Sequence, residues 1–152
     1  MIYRFLLIAL FFIGCGSHDA GLPYPLTISE EGLGAIHPDT PINQINTVLS
    51  GFEFEKLSQI SSDHNNVIFQ MKRSNHPIAQ IVSDETGKKI AAIYITSNLI
   101  KNKQGLGLGD TLPKNEHVRC EGDLCTGTNE PSVHYRIDPN HRTILEITFS
   151  RL

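Results

Sequence analysis

From Phe52 onward the apolar residues come in short runs of period two, and this pattern constrains the fold more than any other feature. Phe52 and Phe54 point one way while Glu53 and Glu55 point the other, the signature of a half-buried strand. Residues 67–71 (VIFQM), 77–82 (PIAQIV), 89–96 (KIAAIYIT), 118–120, 133–137 and 143–149 read as further strands. The run at 89–96 is the strongest and is expected to be central. Residues 84–88 (DETGK) form a hairpin turn with Gly87 available for positive φ, and residues 138–141 (DPNH) join the last two strands. Strands joined by short turns favour an antiparallel, meandering sheet.

One segment has helical spacing instead. Thr40 offers an N-cap and Pro41 a first helical residue, where its missing N–H costs nothing. Ile42, Ile45, Val48 and Leu49 then form a stripe, and Gly51 stands just past the end. The helix is about nine residues long, so its stability must come from packing that stripe. The expected class is α+β: an antiparallel, mainly meandering β-sheet with one short amphipathic helix, or a curved half-open β structure with a helix plug.

The first residues carry a different message. Residues 5–13 (FLLIALFFI) are nine apolar residues in a row, preceded by Arg4. Nine helical residues span about 13.5 Å, against the roughly 20 residues that a bilayer core needs. This is the core of a signal peptide. It closes on Phe12-Ile13-Gly14-Cys15, which resembles a bacterial lipobox, with Phe12 where Leu is usual. The resemblance implies diacylglycerol on Cys15, cleavage before it and acylation of the new amino group. Several acyl chains give stable anchoring where one does not. Gly16, not Asp, follows the cysteine, which points to the inner leaflet of the outer membrane, facing the periplasm. Residues 1–14 are thus a lipoprotein signal peptide, 15–25 a lipidated tether and 26–152 a single globular domain.

Two cysteines remain. In an oxidising compartment Cys120 and Cys125 are expected to form a disulfide around the turn residue Gly122. Their C-x4-C spacing does not suit a C-x-x-C oxidoreductase, and a zinc site needs two further ligands.

Other chemistry finds little support. Lys plus Arg is 13 against Asp plus Glu 16, a net charge of -3, the wrong sign for a nucleic-acid binder. The seven histidines form no H-x3-H pair and no H-E-x-x-H motif, so neither a metal nor a cofactor is expected. No serine sits in G-x-S-x-G, and no catalytic residues emerge. The stretch Gly105, Leu106, Gly107, Leu108, Gly109, Asp110 lacks the lysine of a phosphate loop and reads as a re-entrant turn with glycines at positive φ. It is the candidate binding loop.

The segment 26–36 (LTISEEGLGAI), the Thr40-Pro41 helix start, Asn98-Leu99-Ile100, Gly107-x-Gly109 and the late cysteine pair carry a family resemblance. Over about residues 26–137 the chain is similar to gammaproteobacterial sigma-E-regulated envelope lipoproteins of unknown function. The resemblance implies an envelope lipoprotein tied to envelope stress, and supplies no catalytic residue. The expectation is a non-enzymatic, lipid-anchored protein that binds an envelope partner, held to the membrane by Cys15. The alternative is a lipid-tethered inhibitor or immunity protein against a periplasmic or cell-wall enzyme, with the loop from Gln104 to Leu112 inserting into its target. Neither the partner nor the oligomeric state is legible.

Overall fold

The computed structural model describes residues 26–57 and 66–151. Strands β3 (Glu53–Leu57), β4 (Ile68–Arg73), β5 (His76–Ser83) and β6 (Ile90–Ile95) run as one antiparallel meander. Strands β8 (Val118–Glu121), β9 (Leu124–Gly127), β10 (Glu130–Ile137) and β11 (Ile144–Ser150) form a second. β6 and β11 pair antiparallel, which fuses the two into an eight-stranded sheet ordered β3-β4-β5-β6-β11-β10-β9-β8. The strong 89–96 segment lies in the middle, as expected.

One row of aligned residues crosses the whole sheet. It runs Phe54, Met71, Ala79, Ile95, Ile147, Tyr135, Cys125 and Cys120. From Met71 to Cys125 this row is buried. Two residues along on the same face, Ile81, Ile93, Phe149 and Val133 are buried as well. The opposite face carries Gln80, Tyr94, Thr148 and His134, aligned in register. A period of two with one apolar face makes such a sheet cover that face. Each aliphatic or aromatic side chain buried there contributes about 1.5–3 kcal/mol.

The cover is the N-terminal segment. β1 (Thr27–Ser29) pairs antiparallel with β2 (Gly32–Leu33) and parallel with β7 (Lys101–Asn102), giving a second, three-stranded sheet. Ile28, Leu33, Ile36, Ile45 and Ile100 complete the core. Gly32 (φ 111°) is obligatory in the β1–β2 turn, since a Cβ there would stand 2.2 Å from the Ile36 carbonyl oxygen. Glu30 fastens this layer to the large sheet. Its carboxylate accepts from both the backbone N–H (2.8 Å) and the hydroxyl of Ser132 on β10.

The class is corrected to mainly β. The expected nine-residue helix is a 3-10 turn, Ile42–Gln44, followed by one α-helical turn, α1 (Ile45–Val48), and Leu49 is already extended. Thr40 does not cap it: its hydroxyl accepts from the His37 N–H (3.0 Å). Among the described residues no side chain caps the 3-10 turn or α1. A segment this short gains few intrahelical bonds. The Ile42 N–H instead donates to the Lys88 carbonyl (2.9 Å), docking the segment beside the β5–β6 turn. Ile42, Ile45 and Leu49 are buried as the stripe requires. The antiparallel meandering strands stand as expected.

Candidate functional site

β1 holds β7 with Ile28 opposite Asn102, and Asn102 is only 5% exposed. Its Oδ1 accepts from the N–H groups of Gln104 and Leu106, both at 2.9 Å. Its backbone N–H donates to the Leu106 carbonyl (2.7 Å), and its carbonyl accepts from Gly105 (3.0 Å). Its Nδ2 donates to the Tyr135 hydroxyl at 2.9 Å. One buried amide therefore shapes the turn after β7 and ties it to β10. Its groups are matched, which a buried amide requires.

The rest of the glycine-rich loop is fastened too. Asp110 Oδ2 accepts from the Gly107 N–H (2.8 Å) and from Lys101 Nζ (2.7 Å). The Lys101 hydrogen bond, then the Gly107 amide, hold the Asp110 carboxyl below its ordinary range. Gly107 is buried, and a Cβ on it would stand 2.6 Å from the Ile100 carbonyl oxygen. The Gly109 N–H donates to Ile144 (2.9 Å), Ile144 to Asp110 (2.8 Å), and Leu112 to Arg142 (2.9 Å). The loop is thereby laced to the β10–β11 turn.

Between this loop, the β8–β9 hairpin and β10 lies a cleft of about 190 Å³. Its apolar wall is Leu106, Leu112, Pro113 and Val118, and Asn115, His117 and Asn129 are among its polar residues. One water needs about 10–15 Å³, so the cleft takes more than a structural water. It is smaller than the ~300–1,000 Å³ of drug-sized sites and suits a fragment or a single side chain.

Glu130 lines the cleft at 8% exposure. Opposite β9, Glu130 aligns with Gly127 and His134 with Thr126, so the intervening residues of β10 bulge. Pro131, which has no N–H to pair, sits in that bulge. The shift lets Glu130 and Ser132, then Val133 and Tyr135, all be buried. Glu130 Oε1 has no hydrogen-bond partner among the described residues. Burial raises its pKa, Lys103 opposes this through space, and Glu30 adds to it. Burial likewise raises the Tyr135 hydroxyl, against the hydrogen bond from Asn102. That hydroxyl accepts from Asn102 and keeps its own proton to donate. The cleft thus offers one carboxyl acceptor and one phenol donor against an apolar wall.

The structure distributes the expected residues as follows. Cys120 and Cys125 are joined in a disulfide across the β8–β9 pair. Cys15 and the signal segment lie outside the described residues. Of the candidate loop, Gly105 (φ 80°) and Gly109 (φ 86°) adopt the anticipated positive φ. Leu106 alone of Gly105, Leu106, Gly107, Leu108, Gly109 and Asp110 lines the cleft. The sequence reading missed Asn102, Glu130 and Tyr135. Its available signal was an acid at Asn129-Glu130-Pro131 next to a strand, which is weak by itself. No group of three or more His, Cys, Asp or Glu among the described residues could hold a metal. No described helix is long and apolar enough to cross a membrane.

The chain matches no family model and no curated protein sequence. In its fold it is similar to a solved structure, the uncharacterized protein yfeY from Escherichia coli. The TM-score is 0.62 at 13% sequence identity, and the likeness covers 84% of this chain and 100% of that one. At so low an identity the likeness shows a shared fold alone.

Proposed function

We propose that this is a non-enzymatic, lipid-anchored envelope protein facing the periplasm, and that the cleft beside β10 is where it holds its partner. The observation that carries the reading is the buried Glu130 carboxyl, with an oxygen that has no hydrogen-bond partner among the described residues, in an apolar-walled cleft. A buried polar group left unmatched costs about 1–3 kcal/mol, and a ligand that matches it recovers that cost. An apolar pocket with a few convergent polar groups and a perturbed acid is the usual form of a binding site. Among the described residues the lining includes no Ser, Thr or Cys. Glu30, the nearby carboxylate, accepts from Ser132 with both oxygens and is not among the residues that line the cleft.

The anchor rests on Gly14-Cys15 after the apolar run. The inner leaflet of the outer membrane rests on Gly16, and a link to the sigma-E envelope response rests on the sequence resemblance. The inhibitor reading called for an inserting loop; a loop laced at Asn102, Asp110 and Gly109 does not favour it.

Two arms test this. Wild-type protein should fractionate with the outer membrane and Cys15→Ser with the soluble periplasm; membrane retention of the serine variant overturns the anchor. After mild crosslinking, the wild-type chain should copurify with a partner that Leu106→Trp, which places an indole in the cleft, loses. Equal recovery by both overturns the cleft as the binding site.

A further inference from the structure

Resting on that reading, we infer that the cleft receives a primary alkylammonium group: an apolar stem against Leu106, Leu112 and Val118, with its N–H donors on the Glu130 carboxyl.

Three observations converge. First, Glu130 is more than nine-tenths buried, lines the cleft, and has an oxygen without a hydrogen-bond partner among the described residues. A buried carboxylate is costly unless a cation or several donors meet it. Second, among the described residues no Lys or Arg lines the cleft; its titratable side chains there are Glu130, His117 and Tyr135. Lys103 is exposed and acts on Glu130 through space without a hydrogen bond. An anionic ligand would meet a carboxyl and no fixed cation, whereas an ammonium supplies the missing charge. Third, the dimensions are right. About 190 Å³ with apolar walls fits a short unbranched chain, and an amine keeps its stem on those walls while its head reaches the acid.

A free amine and the lysine side chain of a protein partner share this chemistry. The partner-binding reading favours lysine.

The test is an NMR titration of the full chain in detergent at pH 7.5, with n-pentylamine, n-pentanol and Nα-acetyl-lysine N-methylamide as probes. The inference predicts that pentylamine binds at least tenfold more tightly than pentanol and shifts the amides of Leu106, Asn129 and Glu130. Glu130→Gln, close to isosteric, should remove that preference. Glu130→Leu provides a second, apolar replacement with the same expectation. Binding of the lysine derivative assigns the group to a protein side chain; binding of pentylamine alone assigns it to a free amine. Equal binding of pentylamine and pentanol overturns the ammonium inference but leaves the cleft as a binding site. If no probe shifts any cleft residue, both the inference and the cleft reading fall.

Discussion

The side-chain amide of Asn102 donates to the hydroxyl of Tyr135 at 2.9 Å, across 33 positions of chain. This bond joins the short parallel β1–β7 pair to the large sheet, and it stands at the cleft that both residues line. Because Asn102 also satisfies Gln104 and Leu106, its removal should cost more than one hydrogen bond. Asn102→Ala leaves those amides and the phenol unmatched and should destabilise by about 2–4 kcal/mol. Tyr135→Phe strands only one N–H and should cost about 1–2 kcal/mol. Urea denaturation of the pair checks the order; an Asn102→Ala loss no larger than that of Tyr135→Phe contradicts it.

Two glycines of the same loop should behave differently. Gly105→Ala meets no atom within 4 Å, and its cost is the positive φ of 80°, about 1 kcal/mol. Gly107→Ala forces a Cβ against the Ile100 carbonyl oxygen at 2.6 Å and the Lys101 stem at 2.7 Å. Strand-terminal backbone cannot retreat freely, so the loss should be about 2–3 kcal/mol. Thermal melts of both variants read the difference.

The Glu30–Ser132 contact spans 102 positions and fastens the N-terminal layer to β10. Charge-assisted bonds are about twice as strong as neutral ones. Glu30→Ala should therefore destabilise by about 2–3 kcal/mol, and hydrogen exchange should speed up in β1 and β2 before β4 and β5. Uniform acceleration throughout would contradict a layer held at this point.

Glu130 sets a pH dependence. Burial raises its folded pKa above the ordinary value of 4.5. Between that value and the raised one the native state binds more protons than the unfolded chain, so stability falls as pH rises through this window. Asp84, Asp110 and Asp138 have lowered values and act in the opposite sense. Their stability is present above 3.8 and is lost as pH falls through their folded values. Glu130→Gln should abolish only the neutral-side fall, seen as convergence of variant and wild-type stabilities near pH 4.5 and a more stable variant at pH 8. A constant difference across that range would contradict the assignment.

The Cys120–Cys125 bridge closes a small ring with a sequence separation of 5. Replacing both cysteines with serine should cost about 2 kcal/mol or less and leave a folded chain, since the β8–β9 pairing and the β10 register persist without it. Loss of cooperative unfolding in the double variant would show that the bridge does more than close a turn.

The strands that read cleanly from sequence were those with long apolar runs bounded by clear turn residues. The 89–96 run and the Gly87 turn recur as β6 and its hairpin because each local preference agrees with the sheet. β9 and the start of β10 were not legible. Leu124-Cys125-Thr126-Gly127 is too short to show a period, and Pro131 conceals a strand whose bulge accommodates it. The helix was overestimated because its apolar stripe is genuine but Thr40 bonds back to His37 instead of capping, and tertiary bonds, such as Ile42 to Lys88, replace its own. The cleft could not be read at all. Its polar members, Asn102, Glu130 and Tyr135, come together only through the parallel β1–β7 pairing and the β10 register shift, and neither leaves a local mark.

The cleft as binding site is tested most directly by photocrosslinking in intact cells. A photoreactive residue at Asn115, on the cleft, is compared with one at Tyr94, which lies on the opposite face of the sheet and is 40% exposed. The account predicts a discrete envelope adduct from position 115, none from position 94, and loss of the adduct when Glu130→Gln is added. Adducts from position 94 alone, or an adduct at 115 indifferent to Glu130, would contradict it.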